Sequence, residues 1–109
     1  QGDIININFN PQSDHEQKGS RPALVISCND YNQLSNMVLV APITSTKRDN
    51  IFHFELVGNK KVKGYVMCDQ IKMIDPIARK AKYIDQIDFE QLLLALSITK
   101  SIISLQDEG

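Results

Sequence analysis

A chain of 109 residues has the size of one domain and can bury roughly two-thirds of the surface its unfolded form exposes, so one domain is expected over residues 1–109. The formal net charge of -1, from 12 Lys/Arg against 13 Asp/Glu, excludes a uniformly basic coat, but the charge is unevenly spread. Residues 47–82 hold nine Lys/Arg and four Asp/Glu, whereas residues 83–109 hold one Lys and five acids, so the middle of the chain can carry a polyanion-binding face or simply a solvated lysine-rich surface.

Ile5, Ile7 and Phe9 alternate with Asn6, Asn8 and Asn10, which predicts a half-buried strand stopped by Pro11. Residues 12–20 are polar, contain Gly19 and read as a loop. A second strand over 21–28 shows little alternation and is expected to be buried on both faces. Residues 29–32 read as a turn. A third strand runs from Met37 to Ile43, with Pro42 suggesting an edge or a bulge. Ile51 to Val57 alternates, with Phe52, Phe54 and Leu56 on one face and His53 on the strand surface. Gly64 to Cys68 is a fifth strand, 71–76 is ambiguous, and Ala78 to Ile84 reads as a sixth. From Asp88 the period changes to helical, with Asp88 as N-cap and Gln91 as its capping-box partner. The apolar face through Phe89, Leu92, Leu96 and Ile103 is broad enough that part of it can meet a partner subunit. Short strands plus one C-terminal helix predict a mainly β fold, a strongly bent sheet or partly closed barrel.

No apolar run is long enough to span a membrane, and no secretory leader is visible, so a cytoplasmic location is expected. Cys28 and Cys68 both lie in apolar strand-like runs and read as reduced core thiols. The two Cys and two His lack the short paired spacings of zinc sites, and no phosphate loop or dinucleotide fingerprint is present. No metal or cofactor is therefore expected.

The densest chemistry lies in His15-Glu16-Gln17-Lys18-Gly19-Ser20-Arg21-Pro22, just ahead of the apolar run Ala23-Leu24-Val25-Ile26. Pro22 holds Arg21 in extended geometry at a strand entrance, where its guanidinium can fork onto a phosphate or a carboxylate. An ion pair with Glu16 fits Arg21 equally well. A second block reads Val40-x-Pro42-Ile43-Thr44-Ser45. A third reads Lys63-Gly64-x-Val66-x-Cys68-Asp69-Gln70-Ile71-Lys72, followed by Asp75 and Ala78-Arg79. Together with Gly2-Asp3 and Phe9-x-Pro11, these three blocks in order resemble the MazF/PemK family of toxin endoribonucleases, over Gly2 to about Leu105.

The resemblance implies a small SH3-like barrel, related to CcdB-type toxins, with a C-terminal helix and working as a homodimer. It implies a sequence-specific, metal-independent endoribonuclease that cuts single-stranded RNA, usually mRNA, to 2′,3′-cyclic phosphate and 5′-hydroxyl ends. A cognate antitoxin protein would neutralise it by laying an extended segment in the RNA groove. The family's catalytic residues map onto Arg21 and Thr44. In the Kid branch an Asp and a His are implicated, here Asp69 and His15, together with an Arg two residues before the Asp. Met67 stands at that position, which favours the Arg–Thr version.

The chemistry needs a proton acceptor for the 2′-hydroxyl, a stabiliser of the phosphorane charge and a donor to the 5′-oxygen. Arg21 is the best stabiliser, Thr44 can donate to a non-bridging oxygen, and Glu16 or His15 can serve as the base. Thr44 also fits an ordinary turn hydroxyl, and Asp69-Gln70 also fits a pin for the barrel or the dimer. Phe9 is the aromatic placed to stack on a base, or else a core ring. Gln17, Lys18, Ser45 and Lys47 are further RNA-binding candidates, and the Lys60-Lys61-Lys63 turn with Lys47-Arg48 is expected to flank the RNA path. Two alternatives keep the fold: a non-enzymatic, CcdB-like poison of DNA gyrase, and an RNA-binding barrel without turnover.

Overall fold

The computed structural model describes residues 1–9 and 19–106. The elements in chain order are β1 (Asp3–Asn8), β2 (Ser20–Val25), α1 (Asn29–Ser35), β3 (Val38–Thr44), β4 (His53–Glu55), β5 (Tyr65–Met67), β6 (Lys72–Ile74), β7 (Lys82–Gln86) and α2 (Phe89–Ile103). All pairings are antiparallel, in the order β4-β5-β3-β2-β1-β7, with β6 also paired to β3. The result is the expected mainly β fold with a C-terminal helix.

Period-2 alternation sends successive side chains of each strand to opposite faces, and here both faces are covered. Ile4, Leu24, Ala41, Ile43, Val66 and Cys68 gather on one face with Leu56, Val62, Ile87 and Ala95, and Phe54, Leu92, Leu96 and Ile98 pack against them. Residues from β4 at one edge to Ile87 just past β7 at the other share this cluster, so the sheet curls around it and α2 lies over it. The opposite face carries Ile5, Ile7, Ala23, Val25, Val40 and Ile74, backed by Phe9, Val38 and Ala81. β1 is consequently buried on both sides rather than half-buried, and even Asn8 is buried.

β3 is the hub of the sheet. It pairs with β2 along one side, and along the other with β6 through Val40 and then with β5 from Ile43. Pro42, which has no N–H to give a ladder, sits where β3 passes from β6 to β5. The proline therefore marks a change of partner and not an outer edge.

Several boundaries differ from the sequence expectation. Residues 29–35 form a short helix instead of a turn, closed by Asn36 in the left-handed conformation (φ 59°), whose N–H bonds the carbonyl of Asn32. Of Ile51 to Val57 only His53–Glu55 is strand, and the last strand starts at Lys82 after a turn through Asp75 to Ala81. Asp88 precedes α2 but its side chain makes no cap bond. Gln91, expected to close a capping box, instead clamps Val57: its Nε2 donates to the Val57 carbonyl (2.6 Å) and its Oε1 accepts from the Val57 N–H (3.1 Å). The amide gains two backbone bonds at the end of β4 where the box would have offered one. Both cysteines are free, but Cys28 is exposed ahead of α1 and only Cys68 is a core thiol. Burial pushes the Cys68 thiol up to about 11, partly offset by a hydrogen bond with Thr99, so it stays neutral.

Candidate active site

The register of the central strands places the two residues named by the motifs. Ala23 pairs with Pro42, Leu24 with Ala41 and Val25 with Val40. The ladder ends there, but strand alternation beyond it puts Arg21 and Thr44 on the face shared by Ala23 and Pro42, and both line one groove. On the other side of β2, Arg21 pairs with Ile7 of β1. A rigid sheet therefore brings together residues 23 positions apart in sequence.

Around them lies a groove of about 330 Å³, lined by Phe9, Arg21, Pro42, Ile43, Thr44, Arg48, Met67, Gln70 and Lys72. Its charge is one-sided: three cations and no carboxylate among the described lining. Arg21 is exposed and has no carboxylate within ion-pair reach among the described residues. Thr44 accepts the Thr46 N–H at its Oγ1 (3.2 Å), which is the turn bond anticipated for it. That bond uses a lone pair and leaves the hydroxyl proton free to donate into the groove. Phe9 forms one wall and packs partly on the sheet, with the Lys72 ammonium 4.9 Å from its ring centroid. This is cation–π range. The backbone there is held by the Phe9 N–H to Gly19 carbonyl bond (2.8 Å) and by Arg79, whose Nη1 donates to the Phe9 carbonyl (2.6 Å).

The remaining candidates fall in different places. His15, Glu16, Gln17 and Lys18 lie outside the described residues. Lys47 lines an adjoining hollow of about 330 Å³ with Asn50, Ile51, His53, Glu55 and Tyr65, and Arg48 borders both. Ser45 is exposed beside Thr44 but lines neither. Lys60 and Lys61 belong to a separate cavity of about 390 Å³ with Asp85, Asp88 and Gln91. Lys61 donates there to the Ile84 carbonyl (3.4 Å). The lysine turn thus does not border the groove, because the segment after β4 carries it toward the start of α2.

Asp69 does not line the groove either. Its Oδ2 accepts from Asn50 Nδ2 (3.0 Å) and its Oδ1 from His53 Nε2 (2.8 Å). Partial removal from water pushes its carboxyl up, but the Asn50 and His53 bonds outweigh this and hold it below the usual aspartate value. His53 is not a surface residue: its side chain is 3 % exposed and its Nε2 is hydrogen-bonded to this carboxylate. Gln70 and Lys72 were the lining residues hardest to read from sequence. Residues 71–76 show no clear period, yet β6 pairs Lys72 with Val40 and Ile74 with Val38. Lys72 therefore shares the outward face of Val40, Pro42 and Thr44.

Comparison with known proteins places the chain in a family. Residues 1–100 match the model of the PemK-like, MazF-like toxins of type II toxin–antitoxin systems. The chain is 44 % identical over 101 residues to the endoribonuclease toxin ChpB of Escherichia coli (strain K12), covering 84 % of this chain and 86 % of that protein. Among solved structures it resembles MazF of Deinococcus radiodurans at 30 % identity and TM-score 0.82, over 95 % of this chain and 94 % of that one. A MazE–MazF complex from the same organism matches at 25 % identity and TM-score 0.82, over 96 % and 94 % of the two chains. Motifs, fold, groove and relatives all converge, and the chain belongs to the PemK-like, MazF-like toxin family.

Proposed function

We propose that this chain is a sequence-specific, metal-independent endoribonuclease toxin that cleaves single-stranded RNA to 2′,3′-cyclic phosphate and 5′-hydroxyl ends. The carrying observation is that Arg21 and Thr44 line one cationic groove whose wall is Phe9. In the reaction the 2′-hydroxyl gives its proton to a base and attacks the neighbouring phosphorus, and the 5′-oxygen leaves and takes up a proton, from the protonated base or from water, to become the 5′-hydroxyl. Arg21, with its planar guanidinium fork, holds the non-bridging oxygens as charge builds on them, and Thr44 donates its hydroxyl proton to one of them. Phe9 stacks on an unpaired base and Arg48 and Lys72 draw in the flanking phosphates. Glu16 and His15 remain the candidates for the base that takes the 2′-proton. The requirement for a 2′-hydroxyl spares DNA.

The same reading makes residues 1–109 one cytoplasmic toxin domain that acts on mRNA as a homodimer and is held inactive by a cognate antitoxin protein in the groove. Its support is the likeness to a MazE–MazF complex and the exposed apolar side chains Phe89, Leu93, Ile103 and Leu105 of the C-terminal segment, which suit a subunit contact. Among the described residues no helix is long and apolar enough to cross a membrane. The gyrase-poison alternative is not favoured, since the curated relatives are named endoribonuclease toxins. Incubation with a long mixed-sequence RNA in the presence of EDTA tests the proposal. Discrete fragments with cyclic-phosphate 3′ ends are expected, and an intact RNA would overturn it.

A further inference from the structure

Asp69 lies within the third motif block, and both of its carboxylate oxygens are already engaged by one short segment, residues 50–53. We propose that Asp69 is a positioning residue that clips the β3–β4 loop so that Arg48 is presented to the groove. This rests on the reading of that groove as an RNA-cleaving site.

Asn50 is the centre of the clip. Its N–H bonds the Arg48 carbonyl (2.9 Å), its carbonyl accepts from the His53 N–H (3.2 Å), and its Oδ1 accepts from the Phe52 N–H (2.8 Å). Its remaining amide group, Nδ2, goes to Asp69. Asn50 thus ties Arg48, Phe52 and His53 into one turn and hands that turn to a single carboxylate. His53 supplies the second tie. Its Nδ1 is buried with no partner and its Nε2 lies on Asp69 Oδ1, so the ring's one polar bond among the described residues is spent on the clip. On the other side, Asp69 sits in the turn after β5, where the Gln70 N–H bonds the Met67 carbonyl (3.1 Å). Met67 and Gln70 line the groove, as does Arg48. The carboxylate joins two segments that border the groove without entering it. Asp69 itself is not among the groove-lining residues, which favours positioning over direct proton transfer.

The test is steady-state cleavage of one RNA by wild type, Asp69→Ala, Asn50→Ala, His53→Gln, Arg48→Ala and the Asp69→Ala/Arg48→Ala double variant, at several salt concentrations. Arg21→Ala serves as the control for the reaction itself. Positioning predicts that Asp69→Ala and Asn50→Ala raise KM roughly 5- to 20-fold with kcat little changed. It also predicts that both lower the salt slope of RNA affinity by about 0.7, the loss of one phosphate contact to a single strand. His53→Gln moves KM in the same direction, and the double variant is no worse than Arg48→Ala within about twofold. A fall in kcat of about 100-fold or more in Asp69→Ala, with KM and salt slope unchanged and effects additive with Arg48→Ala, overturns the proposal. Wild-type behaviour of Asn50→Ala overturns it as well. Trypsin nicking after Lys47 and Arg48 gives a readout independent of RNA. It should accelerate in Asp69→Ala and Asn50→Ala, and unchanged nicking contradicts the clip. If wild type fails to cut RNA, or Arg21→Ala cuts as fast, the reading of the site fails while the nicking assay still judges the clip.

Discussion

Under the proposed function, the Thr44 hydroxyl has a part in both the fold and the chemistry. Its oxygen accepts the Thr46 N–H and thereby shapes the turn out of β3, while its proton stays available to a phosphate oxygen. Thr44→Val, which keeps the shape and removes the hydroxyl, is expected to lower kcat about 100-fold, whereas Thr44→Ser keeps most of it. Equal loss in both variants, read from single-turnover cleavage, would make the hydroxyl irrelevant. Asp69 gives a pH signature. Its carboxyl is held below the usual value by Asn50 and His53, against the upward push of desolvation. A group with a lowered folded-state pKa binds its proton less readily in the folded chain. Its contribution to stability is therefore full above about pH 4, the ordinary aspartate value, and is lost as the pH falls through the folded value. Urea melts of wild type and Asp69→Asn should differ most near neutral pH and converge as the pH falls through the folded value. A difference that stays constant across that range would show that the charge of Asp69 plays no part in the clip.

At the scale of elements, the close approach of β5 to β3 builds the floor beneath Thr44. Gly64, at φ 143°, opens β5, and a Cβ there would press into the carbonyl oxygen of Thr44. Gly64→Ala is expected to cost about 1–3 kcal/mol of stability and to slow cleavage by displacing Thr44, measurable by thermal melts beside the kinetic assay. A stable, fully active variant would show that β3 tolerates the shift. The same strands explain what could be read in advance. Apolar alternation gave β1, unbroken apolar runs gave β2 and β3, helical periodicity gave α2, and the motif blocks gave Arg21, Thr44 and Phe9, because strand period and local chemistry are written residue by residue. Neither shows the pairing of one strand with two others. The handover of β3 from β6 to β5 is a tertiary event, so Lys72 and Gln70 were not legible as groove residues and Pro42 suggested an edge. His53 looked like a surface residue because its partner, Asp69, lies 16 residues further along the chain. Gln91 left its expected cap because Val57, 34 residues away, offered two backbone bonds.

For the whole molecule, a near-neutral chain still presents a charged working surface. The curled sheet collects Arg21, Arg48 and Lys72 on one groove and sends the Lys60–Lys61 turn to a cavity that also holds Asp85 and Asp88. The net charge hides this separation. The proposed chemistry depends on one arginine, held at a strand entrance by Pro22 and sharing its groove with Thr44. Single-turnover cleavage of one RNA by Arg21→Ala beside wild type, with EDTA present and product ends analysed, tests it most directly. The account predicts a rate lowered about 100- to 1,000-fold with the fold intact by thermal melt and with cyclic-phosphate ends in the wild-type digest. Cleavage by Arg21→Ala at the wild-type rate would contradict it.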